Sequence, residues 1–389
     1  MLTARLNPKK MSMKRREWIK SAALVGGGLY LSSAARAKPL AAPAGTATPS
    51  DSTHGFINLS INENQWGPSP KAKAAMVEAV SYAYEYPAVP HRKLREEIAE
   101  REGVEPSQVL IGAGSSDLLK AASYAFGLQG GSIVAADPTF NDLLRWAEPL
   151  GAELVRVPWN AAHQPDLAKL ANSLRPDSSL LYVCNPENPA GTLVDAATMR
   201  DFCKSVSKRC PVFVDEAYID FAGEAEKLTM MGLVREGLPI IVSRTFSKAY
   251  GLGGMRVGYA VTTPELAERL ETAYVHGVVC GASHVSIEGA RAAYADQRWL
   301  SHVRSATAEV RESFGSFCDE IGQPYIPSHT SFVLMPINKD SKQLADTLFK
   351  STRVRISPRF IHGQNYLRVS LGSPAQMAAL QTGLRLLLG

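Results

Sequence analysis

The sequence predicts an α/β protein, with a large domain on a mostly parallel, seven-stranded sheet covered by helices and a smaller second lobe toward the C-terminus. Three observations carry this reading. Seven short apolar runs, rich in Val, Ile and Leu, lie between residues 108 and 261. The runs end in or near Gly, Pro, Asn or Asp, and helix-like stretches separate them. A strand covered on both faces reads as a continuous apolar run, and parallel strands need crossover connections long enough to hold a helix.

In chain order, Val109-Leu110-Ile111 leads into Gly112-Ala113-Gly114-Ser115-Ser116, and Ser132-Ile133-Val134-Ala135 leads into Asp137-Pro138-Thr139-Phe140. The third run is Glu153 to Val157. Leu180 to Cys184 precedes Asn185-Pro186-Glu187-Asn188-Pro189-Ala190-Gly191, and Val212-Phe213-Val214 precedes Asp215-Glu216-Ala217-Tyr218. Ile240-Ile241-Val242 runs toward Thr245-Phe246-Ser247-Lys248, and Val257 to Val261 completes the set. An amphipathic segment over about 264–278 then leads to the second lobe, roughly 285–389, which ends in a strand-like Asn365-Tyr366-Leu367-Arg368-Val369-Ser370. Ligands of open α/β sheets bind beyond the carboxyl ends of the strands, so the polar strand ends are the place to look for a site.

The chain has 389 residues, 45% of them apolar and 20% charged, which excludes disorder and collagen-like repeats. Residues 1–37 hold eight of the 42 Lys and Arg but only one of the 37 acids, so the remaining body is mildly acidic and shows no phosphate-backbone footprint. That N-terminus resembles a twin-arginine export signal. Arg15-Arg16 precedes an apolar run from Ala22 to Leu31, too short to span a bilayer at ~20 residues, and Ala35-Arg36-Ala37 offers a small-residue cleavage site. The expectation is a periplasmic protein cleaved near Ala37, with a flexible Ala/Pro/Gly/Ser/Thr linker over 38–53. The twin-arginine machinery would be its first partner. The five cysteines form no C-x-x-C pair and read as core residues, which fits a protein folded before export.

The strand ends make joint chemical sense for a phosphorylated aromatic aldehyde. A lysine holds an aldehyde as a Schiff base, an aspartate keeps a pyridinium nitrogen protonated, and an aromatic side chain stacks on the ring. A helix start, hydroxyls and an arginine hold a phosphate. Other readings fare worse. Gly112-x-Gly114 lacks the third glycine of a dinucleotide fingerprint, and Ser205-Val206-Ser207-Lys208 has no companion motif of the penicillin-recognising enzymes. Taken singly, Phe140 reads as core, Tyr218 as a strand-end residue and Asp215 as a helix cap, whereas a shared ligand accounts for all the strand ends at once.

From Ile57 to the C-terminus the chain resembles a fold-type I pyridoxal-phosphate aminotransferase of class I/II, and is similar to histidinol-phosphate aminotransferases. The resemblance rests on Asn62-Glu63-Asn64-Gln65-Trp66-Gly67-Pro68, Tyr86-Pro87, Asn185 to Gly191, Asp215 to Tyr218, the Lys248 segment and Leu367-Arg368-Val369, in family order. It implies a large cofactor-binding domain over 86–284. It also implies a small α+β domain built from 285–389 with an N-terminal contribution from 54–85. The implied cofactor is pyridoxal 5′-phosphate. Lys248 is implied to carry it and to move the substrate proton; Ser115, Ser116, Thr245, Ser247 and Arg256 to hold its phosphate, with Gly251, Gly253 and Gly254 folding the chain back toward Arg256. Asp215 would pair with the ring nitrogen, Asn188 and Tyr218 with the ring hydroxyl, and Phe140 would stack on the ring. Tyr86 would reach the phosphate of a neighbouring subunit, which implies a homodimer. Arg368 would clamp the substrate carboxylate.

No metal is implied. The expected activity is ping-pong transfer of an amino group between an L-amino acid and a 2-oxo acid. The alternatives are decarboxylation or elimination on the same cofactor, or a non-catalytic binding protein on this fold. One departure bears on the donor: Trp66 stands where the family segment usually has tyrosine. Its indole favours an aromatic or large apolar donor, and an exported enzyme would not meet histidinol phosphate in its usual pathway. Arg355 and Arg359 keep a phosphate-bearing donor in view.

Overall fold

Residues 55–273 and 281–388 are described in a computed structural model of the chain. The export-signal and linker readings over 1–53, residues 274–278 of the amphipathic segment, and Cys280 lie outside the described residues. The strands in chain order are β1 (Ile57–Leu59), β2 (Val109–Gly112), β3 (Ser132–Asp137), β4 (Glu153–Pro158), β5 (Ser178–Cys184), β6 (Val212–Asp215), β7 (Ile240–Thr245), β8 (Gly258–Val261), β9 (Phe332–Ile337), β10 (Val354–Ile361) and β11 (Gln364–Ser370).

All seven apolar runs form strands of one sheet, ordered β2-β8-β7-β6-β5-β3-β4. Only β8 runs against its neighbours β2 and β7. The inner runs are continuous because both faces are buried, while the edge strand β4 is half-exposed. Val134, Val183, Val214 and Val242 face one core, while Ile133, Leu180, Tyr182, Phe213 and Ile241 face the other. Strand alternation distributes a single hydrophobic run over two helix layers.

The second sheet has the order β1-β10-β11-β9. β1 pairs parallel to β10, with Ile57 opposite Val354, so the N-terminal segment closes an edge of the C-terminal sheet. One face packs on helices Gln297–Glu320, Ser341–Thr352 and Pro374–Leu388 through Phe314, Leu348 and Leu380. On the other face Leu334, Ile361 and Tyr366 pack with Trp159, which follows β4 of the large sheet. This contact brings the β10–β11 hairpin over the carboxyl ends of the parallel strands. Cys184, Cys203, Cys210 and Cys318 are free and buried. No helix among the described residues is long and apolar enough to cross a membrane.

Candidate active site

The carboxyl ends of β2, β3, β5, β6 and β7 open into a cavity of about 710 Å³, and β10 and β11 form part of its wall. Lys248 follows β7 and is half-buried. Its Nζ donates to the carbonyls of Asn62 at 3.0 Å and Ile61 at 3.4 Å. Asn64 holds the backbone of the same segment, its Nδ2 donating to the carbonyls of Lys248 (3.0 Å) and Ala249 (2.9 Å). Burial pushes the Lys248 ammonium down to about 8, and the positive charge of Arg368 acts in the same direction. A lysine so placed has a substantial neutral fraction near neutral pH, which an amine nucleophile or base requires.

Asp215 ends β6 at 1% exposure. Ser243 Oγ (3.0 Å), the Ala217 backbone N–H (3.2 Å) and Tyr182 OH (3.3 Å) donate to its carboxylate. Burial raises its pKa to about 6 despite these donors. Tyr218, 4% exposed, accepts from Asn62 Nδ2 at 2.9 Å and packs edge-on against Phe332. Its ring centroid lies 5.6 Å from Lys248 Nζ. Phe140 lines the cavity wall beyond β3.

One end of the cavity is built to hold an anion. Helix Ser115–Gly127 begins at Gly114 with no side-chain cap, so the N–H groups of Ser115 and Ser116 are open to a ligand, while that of Asp117 bonds the Gly114 carbonyl. Arg256 lies beside it, donating to Ser247 Oγ at 3.2 Å and to the Gly253 carbonyl at 2.9 Å. A Cβ on Gly114 would lie 2.3 Å from Arg256 Nη2, so only glycine leaves room for the guanidinium at the helix start. Thr245 Oγ1 accepts from Ser247 N–H at 3.1 Å and lines the same cavity.

The other polar wall belongs to Arg368 on β11. Its Nη1 donates to Asn188 Oδ1 at 2.8 Å and its Nη2 to the Ser60 carbonyl at 2.9 Å. Its Nε is buried without a partner. Burial lowers its pKa to about 10, with neighbouring Arg359 adding to the effect and Tyr218 opposing it. Arg359 lines the cavity and is half-buried.

Residues 54–384 match the family model for aminotransferase class I and II. The chain belongs to that family. The histidinol-phosphate aminotransferase of Moorella thermoacetica is 34% identical over 332 residues, covering 85% of this chain and 84% of that protein. That of Brevibacillus brevis is 33% identical over 321 residues, covering 82% and 87%. The crystal structure of histidinol-phosphate aminotransferase from Sinorhizobium meliloti in complex with pyridoxal-5′-phosphate has a TM-score of 0.80 at 26% identity, covering 92% of this chain and 98% of that one. The L-threonine-O-3-phosphate decarboxylase of Porphyromonas gingivalis, at 19% identity and a TM-score of 0.73, shares the fold.

This aminotransferase uses pyridoxal 5′-phosphate, and the cavity suits it. An uncapped helix start with an arginine would suit the phosphate, Asp215 would offer a carboxylate to a ring nitrogen, and Lys248 would offer an amine to the aldehyde. Family membership favours transamination over decarboxylation, elimination or a non-catalytic role.

Of the expected site residues, Ser115, Ser116, Phe140, Asn188 and Asp215 line the cavity, as do Tyr218, Thr245, Ser247, Lys248, Arg256 and Arg368. Trp66 does not. Its indole packs between the cores of the two sheets, edge-on to His302 at 6.0 Å, and its backbone N–H donates to Asn64 Oδ1 at 2.9 Å. Expected to carry the donor side chain, Trp66 here lies between the two lobes and outside the cavity wall. Tyr86 is 80% exposed and lies away from the cavity of its own chain. Of the three loop glycines only Gly251 takes a left-handed φ, where a Cβ would lie 2.3 Å from the Gly67 carbonyl. Arg256 itself makes the final turn, at φ 55.

Sequence reasoning missed Asn62, Glu187, Tyr182 and Ser243 as site residues. Asn62 stood in the motif, but its left-handed backbone (φ 58), which lets it serve Lys248, Tyr218 and Ser370 together, leaves no mark on the sequence. Arg355 was paired with Arg359, yet its guanidinium stacks on Phe56 and Phe349 instead of facing the cavity.

Proposed function

We propose that this aminotransferase takes an amino donor with an anionic tail, a phosphate monoester of the histidinol phosphate kind, and passes the amino group to a 2-oxo acid. The observation that carries this reading is Arg359. Its guanidinium faces the cavity near Arg368, makes no ion pair among the described residues, and has its pKa lowered by burial alone. Two cations on one wall, one with an unpartnered buried Nε, call for an anion with several acceptor oxygens. Phe360 beside them is 70% exposed and lines the same cavity, offering an apolar face to the donor's ring.

When bound, pyridoxal phosphate supplies the electron sink for charge developing at the donor Cα. The protein supplies the rest. Ser115, Ser116, Thr245, Ser247 and Arg256 hold the phosphate, and Asp215 keeps the ring nitrogen protonated. Asn188 and Tyr218 orient the ring hydroxyl, and Phe140 presents an aromatic face. Lys248 Nζ would take the proton from the donor Cα and pass it to the carbon of the cofactor's aldehyde, and would move a proton in the reverse direction in the acceptor half-reaction. Arg368 anchors the acceptor's carboxylate and shares the donor's anionic tail with Arg359, which fixes the Cα bond to be broken.

Replacing Arg359 by Ala should lower kcat/KM for histidinol phosphate by about 10- to 100-fold, the worth of a hydrogen bond to a charged group. With phenylalanine as donor the change should be much smaller. A wild-type enzyme that prefers phenylalanine by kcat/KM would overturn the anionic-tail reading.

The family resemblance of Tyr86 supports a homodimer. Val77, Val80, Tyr84, Tyr86 and Val89 are all exposed along one short stretch, an apolar surface suited to a second copy of the chain. Sedimentation should give a dimer, and Tyr86→Phe should weaken cofactor binding by about tenfold; an active monomer would count against it. The basic N-terminus supports export by the twin-arginine route to the periplasm. Changing Arg15 and Arg16 to Lys should leave active holoenzyme in the cytoplasm, and unaltered export would refute the route.

A further inference from the structure

We propose that Glu187 is a positioning residue, an uncharged carboxyl that fastens the loop carrying Phe140 to the loop carrying Asn188. Glu187 is 1% exposed and does not line the cavity. Its Oε1 accepts from Thr139 Oγ1 at 2.8 Å and from the Asn188 backbone N–H at 2.8 Å. Its Oε2 is buried with no hydrogen-bond partner. One oxygen thus spans the strand ends of β3 and β5, while the other has nothing to stabilise a negative charge.

The titratable groups that face Glu187 are Tyr182, Cys184 and Asp215, and none is a cation. Burial pushes its carboxyl well above the usual range, and the nearby charge of Asp215 acts in the same sense. Two buried carboxyls in one neighbourhood cannot both ionise cheaply. Asp215 must be ionised to pair with a pyridinium nitrogen, so the proton resides on Glu187. The strut then continues through Asn188 Oδ1 to Arg368 Nη1, so the Phe140 wall and the anion-binding wall are set by one chain of contacts. This inference concerns the cofactor site and stands independently of the donor.

The test compares wild type, Glu187→Gln and Glu187→Ala by titrating each apoprotein with pyridoxal phosphate and following the cofactor's absorbance. Glu187→Ala should raise the dissociation constant by about tenfold or more and raise the acceptor KM more than it lowers kcat, because both loops lose their tie. Glu187→Gln, which keeps an acceptor oxygen without a charge, should restore affinity to within about threefold over roughly pH 6 to 9. The infrared difference between wild type and Glu187→Gln at about pH 8 should show a protonated carboxyl in the wild type. Equal loss in Gln and Ala variants, or a carboxylate band in its place, would overturn the uncharged strut. Wild-type affinity in the Ala variant would overturn the positioning role. Should Glu187→Ala fail to fold, Thr139→Val removes a single donor to the same oxygen. It should weaken cofactor binding by about threefold or more, and unchanged binding overturns the proposal equally.

Discussion

Replacing Lys248 by Ala should abolish transamination, with kcat reduced by about 10⁴-fold, because proton transfer at the donor Cα loses its positioned base. The effect should be chemical, not structural. The Lys248 backbone is held by Asn64 through two hydrogen bonds that the substitution leaves in place, so the folded state should persist by circular dichroism. In the wild type, borohydride should fix the cofactor to the peptide containing Lys248; in the variant it should fix nothing. The pH dependence offers a further check. With the ammonium lowered to about 8, cofactor uptake by the wild-type apoprotein should accelerate as pH rises through that value. Undiminished turnover in the variant, or labelling of a different lysine, would refute the assignment.

The second large effect is expected at Asp215, where activity and stability should move in opposite directions. Asp215→Asn should lower kcat by about 10²- to 10⁴-fold, since the ring nitrogen loses the charge that keeps it protonated. The same change should stabilise the apoprotein near neutral pH by up to about 3 kcal/mol. The sign follows from the raised carboxyl: protonation is easier in the folded state, at about 6, than in the unfolded chain, at 3.8. Wild-type apoprotein is therefore favoured most below the unfolded value and loses stability as pH rises through this window. The gain in Tm from Asp215→Asn should be present at pH values above about 6 and shrink toward pH 4. A variant that is less stable than wild type at neutral pH would show that the hydrogen bonds from Ser243, Ala217 and Tyr182 outweigh burial.

The large sheet was legible because continuous apolar runs with polar ends admit few other arrangements, and the residues just beyond those ends, Asp215 and Lys248 foremost, sit in the cavity that results. Reasoning along the chain failed where position depends on side-chain direction. Trp66 lies within two residues of Asn64, which grips the Lys248 segment, yet it turns away into the space between the sheets. Arg355 and Arg359 are equally basic and only four residues apart on β10, but one stacks on phenylalanines and the other reaches the cavity, a choice made by where the hairpin docks. Tyr182 and Ser243 lie inside apolar strands and read as core, since a donor to Asp215 is apparent only when neighbouring strands are in register.

The two hydrogen bonds between Asn62 and Ser370, one donated by each, join residues 308 positions apart, and Asn62 is also the residue on which Lys248 and Tyr218 rest. During synthesis the first half of this arrangement leaves the ribosome long before the second, so the parallel sheet can form around a lysine whose support is still unanchored. Loading of the cofactor into its finished setting thus waits for nearly the whole polypeptide. A nascent chain halted before β11 would carry the lysine, the aspartate and the phosphate loop, yet lack both Ser370 and the Arg368 wall that complete them.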